Sequence, residues 1–396
     1  MTTDVLAPPS TSVDPVTWLR KNLFSSVLSS LVTLLIGALL VWLVINLGQW
    51  AITEARWEVV TRNLRLFLIG QYPADQAWRL WLSLLLLSAL VGVSAGIFGH
   101  TIRVMAVSVS AIQVLLAAVM LVSPVGPLIT VGMLGNAALV WAGMVVGHRR
   151  LIPRGAMVVA WLISIPIIYM LISGFATQIP DVSSNLWGGL LLTLMLAVVG
   201  ILLSFPLGVL LALGRRSSLP AIRLVSTAYI ELIRGVPLVT ILFMADIMLP
   251  FFLPGEVRID RVMRAMGGIT LFSAAYVAEN VRGGLQAIPT GQIEAAQALG
   301  LHGWQTNLFI VLPQALRSVI PANVGLFISL LKDTTLVAII GLAELLGIGQ
   351  SILAQPDSLG AHLEVFTFVG VIFFVLCYAM SQASYRLERQ LGVGTR

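Results

Sequence analysis

Long apolar runs separated by short polar breaks fill this chain, and the runs have the length of membrane crossings. A bilayer core takes about 20 apolar residues per helix and tolerates no unpaired backbone group. Runs of that kind predict helices over 24–47, 80–99, 104–122, 128–147, 156–174, 186–213, 224–250, 264–286, 318–340 and 364–385, ten spans in all. From Val104 to Gly147 there is no formal charge, and Pro124-Val-Gly-Pro127 interrupts the run, so it reads as two helices joined by a tight hairpin. The fold class expected is an all-α polytopic membrane protein. In the polar segment 46–78, Trp57, Val60, Leu64 and Leu68 recur at helical spacing opposite Arg62 and Arg65, which predicts an amphipathic helix lying in the plane of the outer face.

Composition agrees with the pattern. Of 396 residues 58% are hydrophobic and only 10% charged, against about a quarter charged in soluble domains, and the mean hydropathy is +0.98. The net charge of +6 is what positively charged loops of a membrane protein produce, and nucleic-acid binding is not expected from it. One cysteine, Cys377, sits within the last run, and His100, His148, His302 and His362 are scattered singly, so neither a disulfide framework nor a Cys/His metal site is expected. The first apolar run is too long for a signal peptide and lacks a small-residue cleavage site after it, so it is expected to remain as a helix.

Lys and Arg in short loops orient the spans. Arg20, Lys21, Arg103, Arg149, Arg150, Arg154, Arg215, Arg216, Arg223, Arg317, Arg386 and Arg389 fall on one side, which is therefore the expected cytoplasm. Arg56, Arg62, Arg65 and Arg79 in one loop and Arg258, Arg261 and Arg264 in another oppose them, so the rule is obeyed imperfectly. Both termini come out cytoplasmic.

Charge divides the chain lengthwise. Residues 1–17 form a polar tail expected to be disordered, 18–185 an N-terminal transmembrane extension of five spans with almost no ionisable residue at membrane depth, and 186–396 a core of different character. Packing and insertion alone would account for the extension. In the core Glu231, Arg234, Asp246, Glu279, Arg282, Lys332 and Asp333 fall within or at the ends of spans. Each would cost roughly 2.5–3.5 kcal/mol at the bilayer centre on insertion scales, so each needs a partner or a watery cavity. Glu231 with Arg234 and Glu279 with Arg282 share the i,i+3 spacing that puts both charges on one helix face. Each pair reads either as a self-neutralising ion pair or as part of a solute path. Asp246 reads as a partner of Arg258 or Arg261, with tuning of the pore mouth toward cations as the other option. Lys332 and Asp333 are adjacent and point to different faces, so one of them serves packing.

The longest polar break of the second half runs from Ala287 to Ser318, and its residues suit a docking element. Thr290 is placed to cap a helix that carries Glu294 toward its positive end, and Ala295, Ala296 and Ala298 offer a low-relief face. Gly300 stands where a left-handed cap would end that helix, and a second helix from Trp304 is expected to stop at Leu312-Pro313. No G-x-x-x-x-G-K-[ST] loop is present, and the two lysines, Lys21 and Lys332, are not in a setting for one.

The run Glu294-Ala-Ala-Gln-Ala-Leu-Gly300, followed by Ile310-Val-Leu-Pro313, resembles the EAA loop by which permease subunits of bacterial ABC importers dock on a separate ATPase. Leu186-Trp-Gly-Gly-Leu-Leu-Leu-Thr193, Glu231-Leu-Ile-Arg-Gly-Val-Pro-Leu238, Ala275-Tyr-Val-Ala-Glu-Asn-Val-Arg-Gly283 and Leu331-Lys-Asp-Thr-Thr-Leu336 are similar to permeases of polar amino-acid importers, over about 186–390. The added spans are similar to those of long permeases serving broad-specificity L-amino-acid importers. The resemblance implies an ABC-importer permease core with a coupling loop at 287–317, in which Glu294, Ala295, Ala296, Gly300, Leu301, Ile310 and Pro313 carry the ATPase contact. It implies a solute path lined by Glu279, Arg282, Arg234, Lys332, Asp333, Thr334 and Thr335, with Glu279 meeting a substrate amino group and Arg234 or Lys332 a carboxylate. It further implies location in a bacterial inner membrane, a second permease subunit, an extracytoplasmic solute-binding protein, and ATP and Mg held by the partner ATPase. No cofactor is expected in this chain, which is a transporter subunit rather than an enzyme. An ion-coupled secondary transporter is the main alternative; it would show inverted symmetry between halves, whereas the polar residues crowd into one half. A membrane-embedded enzyme would gather His, Asp and Glu near one surface.

Overall fold

A computed structural model describes residues 15–122, 127–149, 152–174, 180–255 and 258–392. Most of the polar tail, the hairpin break at 124–126 and Arg150 lie outside the described residues. Contacts divide the chain into two units, Met1–Glu58 and Val59–Arg396. The first unit is built on the helix Val27–Gln49, started by Ser26, whose hydroxyl accepts from the Ser29 amide at 3.1 Å. That helix has no charge and no buried residue, so its whole circumference is dressed for lipid.

In the second unit the predicted spans appear as the helices Trp78–Phe98, His100–Val122, Pro127–His148, Arg154–Ser173, Gly189–Arg215, a bent pair Pro220–Arg234 and Leu238–Phe252, Arg261–Gln286, Ile320–Asp333 and His362–Leu391. With Val27–Gln49 they make ten, as the apolar runs predict. Ile320–Asp333 is prolonged by a tighter 3-10 stretch, Thr334–Ile340. The seventh run is not one straight helix. It bends by 109° at Gly235-Val-Pro237, because Pro237 offers no N–H to a continuing helix and itself stands in an extended conformation, φ −60° and ψ 144°.

Glycine sets the closest contacts. Gly92 and Gly96 on one helix face Gly143 and Gly147 on another, each pair four residues apart, the spacing that lets membrane helices meet backbone to backbone. A Cβ on Gly92 would stand 2.3 Å from the Val140 carbonyl oxygen, and one on Gly147 would stand 2.2 Å from that of Val93. Neutral polar groups reinforce this pair: Ser88 donates to Asn136 at 3.0 Å and Gln113 donates to Ser88 at 3.2 Å. In the core, a Cβ on Gly208 of Gly189–Arg215 would stand 2.5 Å from Val277 of Arg261–Gln286. The extension and the core share one apolar cluster, in which Tyr72 and Ile172 pack with Trp187, Leu192 and Ile269.

Two expectations change. The segment around residue 60 does not form an in-plane amphipathic helix. It forms Glu58–Arg62 and Leu64–Ile69, with Val59, Val60 and Phe67 buried, and Phe67 meets the Phe368 ring edge-on at 4.9 Å. Of the predicted stripe Val60 is buried, while Trp57, Leu64 and Leu68 are half-buried. Arg79, read as a loop cation, is fully buried, and its Nη2 donates to the Pro180 carbonyl at 2.7 Å.

Candidate functional site

The loop after Arg261–Gln286 folds as two helices. The first, Thr290–Ala298, has Pro289 rather than Thr290 at its cap position, and no side chain caps it. Its far end closes as a Schellman turn: Gly300 N–H donates to Gln297 O at 2.9 Å and Leu301 N–H to Ala296 O at 3.1 Å. Gly300 has φ +78°, the left-handed conformation anticipated for it. The second helix runs through Gly303–Gln305, Thr306–Val311 and Leu312–Ser318 without a stop. Pro313 does not end it, because the preceding Thr306–Val311 winds as a wider π turn. Bonds there reach five residues back, which opens room for a ring that would strike the carbonyl four residues earlier.

Of the expected alanine face, Ala295 and Ala298 are exposed beside Glu294, and Ala296 is buried at 3%. What stands out alongside is Leu299 at 82%, Trp304 at 62% and Phe309 at 57% exposed. Ile310 is half-buried and Pro313 exposed. A groove of about 600 Å³ lies alongside, between Arg216, Ser217 and Leu285 on one wall and Trp304, Asn307 and Leu308 on the other. The second helix is seated on Arg261–Gln286, where a Cβ on Gly284 would stand 2.4 Å from Val319 and 2.8 Å from the Ala315 carbonyl oxygen.

One turn before that seat the charged residues gather. Glu279 faces three guanidinium groups: Arg282 Nε donates to Oε2 at 2.9 Å, and Arg215 and Arg234 lie 3.5 and 3.6 Å from the same oxygen. The Glu279–Arg282 pair anticipated within one helix is present. The Glu231–Arg234 pair is not formed: Glu231 meets Arg215 at 2.8 Å, while Arg234 turns to Glu279 and lies over the Tyr276 ring at 5.7 Å. Arg215 and Arg234 each end a helix, where the negative end of the dipole favours a cation. Arg282 also donates to Gln286 at 2.7 Å, and Asn280 to Asn323 at 3.0 Å.

Arg215 was legible only as a positively charged loop residue, since nothing in the spacing links it to positions 64 residues away. Lys332 is exposed and Asp333 half-buried, and among the described residues neither makes an ion pair with this cluster. Thr334 and Thr335 donate their hydroxyls to the carbonyls of Leu331 and Lys332, both at 2.7 Å. Thr334 is fully buried. Each hydroxyl spends its proton within its own helix and keeps its lone pairs as acceptors. Asp246 pairs with Arg261 at 3.3 Å, as expected, and with Arg264 at 3.0 Å.

A family model described as binding-protein-dependent transport system inner membrane component matches residues 204–392. The inner membrane amino-acid ABC transporter permease protein YhdY of Escherichia coli is 38% identical over 95% of this chain and 93% of its own length. The glutamate/glutamine/aspartate/asparagine transport system permease protein BztC of Rhodobacter capsulatus is 37% identical over 98% of this chain and 97% of itself. The probable glutamine ABC transporter permease protein GlnP of Bacillus subtilis is also 37% identical, with 51% of this chain matching 92% of that protein. The likeness to the first two takes in the extension as well as the core, and the chain belongs to the family of binding-protein-dependent transport system inner membrane components, as an amino-acid ABC transporter permease.

Proposed function

We propose that this chain is the membrane-spanning subunit of an ATP-driven amino-acid importer, and that the loop 287–317 is where a separate ATPase pushes on it. The observation that carries the reading is the loop itself. A Schellman turn at Gly300 holds Leu299 out in water, and Trp304 and Phe309 stand exposed on the next helix. Large apolar side chains held rigidly in solvent mark a surface that a partner covers.

The lever follows from the seating of that loop. Gly284, Ala315 and Val319 are in contact and Glu279 lies about one turn further along the same helix, so displacement of the loop moves the charged cluster as one body. Three arginines against Glu231 and Glu279 leave the cluster one positive charge in excess, which favours the carboxylate of a passing amino acid over its ammonium group. Arg234 and Arg282 are then the groups that meet solute, with Glu279 holding them in place. Lys332 and Asp333 contribute to the path from the neighbouring helix, while Thr334 and Thr335 shape it by packing.

ATP and Mg belong on the partner, together with a second permease subunit and a solute-binding protein on the opposite face. The loop side is the cytoplasm and both termini lie there. Residues 18–185 act in insertion and packing, and 186–396 in transport. Nothing in the comparisons favours the ion-coupled alternative. Proteoliposomes holding this chain with its co-expressed ATPase and binding protein should accumulate an amino acid only with ATP inside or at the ATPase face. Accumulation driven by an ion gradient without ATP would overturn the reading.

A further inference from the structure

At the end of Arg261–Gln286 remote from the coupling loop there is a cavity of about 460 Å³ that the ATPase contact and the charged cluster leave unused. Three separated segments build it: Asn185 and Trp187 before the Gly189 helix, Asp260, Arg261 and Arg264 at the start of Arg261–Gln286, and the turn Gly341–Ala343. At 1.5 Å per residue Arg264 lies about 22 Å along the helix from Glu279.

The lining groups are arranged to donate. Trp187 is 2% exposed, held edge-on against Tyr169 at 5.7 Å, and its indole N–H has no acceptor. Arg264 uses Nη1 on the Asp246 carbonyl at 2.6 Å and Nη2 on the Asp246 carboxylate at 3.0 Å, which leaves its buried Nε–H without an acceptor. Arg261 shares the same carboxylate at 3.3 Å and is 42% exposed, so two guanidinium groups divide one counter-ion. Asp260 is not a free acceptor here: one oxygen caps the helix by accepting from the Val262 amide at 2.8 Å and the other accepts from the Ser184 hydroxyl. The positive end of a 26-residue helix opens into the same space. Trp187 and Arg264, each with one unfilled N–H, line this volume together with Arg261, beside the Asp260-capped start of the helix, and its size suits a small molecule bearing one carboxylate.

We propose that this cavity is an entry subsite that takes the α-carboxylate of an amino acid before it reaches the charged cluster, an inference that rests on the importer reading above. Trp187 Nε1–H and Arg264 Nε–H are the donors, and the Asp246 ion pairs hold Arg264 in position. A free carboxylate brings a negative charge and two acceptor oxygens to this lining, whereas a neutral carboxamide brings no charge to the shared cations.

The test uses the chain with its co-expressed ATPase in nanodiscs, without binding protein, titrated with each of the twenty standard L-amino acids in tritiated form. At least one should bind, and its α-carboxamide should compete at least tenfold less well. Trp187→Phe keeps a six-membered aromatic ring and loses the N–H with the pyrrole half of the indole; Arg264→Lys keeps the charge and loses Nε together with one of the two Nη contacts to Asp246. Each should weaken binding roughly tenfold to a hundredfold, the span of a hydrogen bond to a charged acceptor. If Trp187→Phe does not fold, Arg264→Lys decides. Unchanged affinity in the folded variants, equal competition by the carboxamide, or no binding of any of the twenty overturns the subsite. Normal ATP-driven uptake alongside any of these results sinks the subsite alone, while absence of ATP-driven uptake in the unmodified protein sinks the importer reading too. If the variants abolish stimulation by the binding protein but leave amino-acid binding intact, the cavity receives that protein's side chain, and the proposal fails.

Discussion

The helix pair 78–98 with 127–148 and the pair 189–215 with 261–286 are joined by the same device and equipped for different work. In both, glycine lets the helices approach so closely that a Cβ would collide: Gly92 with Val140 at 2.3 Å in the first, Gly208 with Val277 at 2.5 Å in the second. Along its length the first pair uses neutral groups, Ser88 and Asn136 with Gln113 from the neighbouring helix, and its one buried cation, Arg79, sits at the start of its helix on the Pro180 carbonyl. The second carries Arg215 and Glu279 at the end nearest the coupling loop and Arg264 at the other. Close approach builds the pair in either case, and among the described residues the second adds a cluster of ion pairs that the first lacks.

The comparison breaks most visibly under Gly147→Leu. Its side chain has no space against the Val93 carbonyl, so folded yield and the thermal midpoint should drop sharply, overpacking of this kind costing about 1–3 kcal/mol or more. Uptake per folded molecule should stay normal, and a specific loss of transport in the folded fraction would show that the first pair does more than pack. Gly300→Val should do the reverse. Nothing lies within 4 Å of its Cβ position, so the penalty is the left-handed backbone alone, about 1–2 kcal/mol and concentrated in the Schellman turn. The protein should fold with uptake reduced more than tenfold, and Gly300→Asn, which tolerates that conformation, should recover most of it. A smaller effect is expected from Arg215→Gln. It leaves Glu279 with Arg234 and Arg282 but releases Glu231, and transport should fall about threefold to tenfold with little change in thermal midpoint.

Much of this was readable in the chain, for a physical reason. Apolar run length follows from bilayer thickness, so all ten helices were visible; Gly300 and the Glu279–Arg282 pair depend on neighbours three or four residues away. Features that depend on distant partners were not. Arg215 reaches Glu279 across 64 positions, and Ala296 is buried only because the second loop helix folds back over it. Pro313 looked like a stop because the π turn that accommodates it has no simple sequence signal. The Gly92, Gly96, Gly143 and Gly147 spacing was available in the sequence as a packing signal, yet span counting alone passes over it.

Glu344 yields the smallest effect. Burial pushes its carboxyl above the ordinary carboxylate range, against the lowering pull of the Leu346 and Gly347 amides and the Thr193 hydroxyl. The folded state therefore holds this proton more tightly than the unfolded one. The contribution to stability is fully present below the ordinary carboxylate pKa and is lost as pH rises through the raised value. Glu344→Gln should flatten that part of the thermal-midpoint profile against pH; an unaltered slope would assign it to another group.

The central claim is that the exposed apolar face of the 290–318 loop is where an ATPase attaches. Co-purification of the ATPase with Leu299→Glu and Trp304→Ala variants, each checked for a monodisperse elution profile, tests it most directly. The account predicts that the folded variants lose most of the bound ATPase; stoichiometric ATPase retained by both, with full uptake, would contradict it.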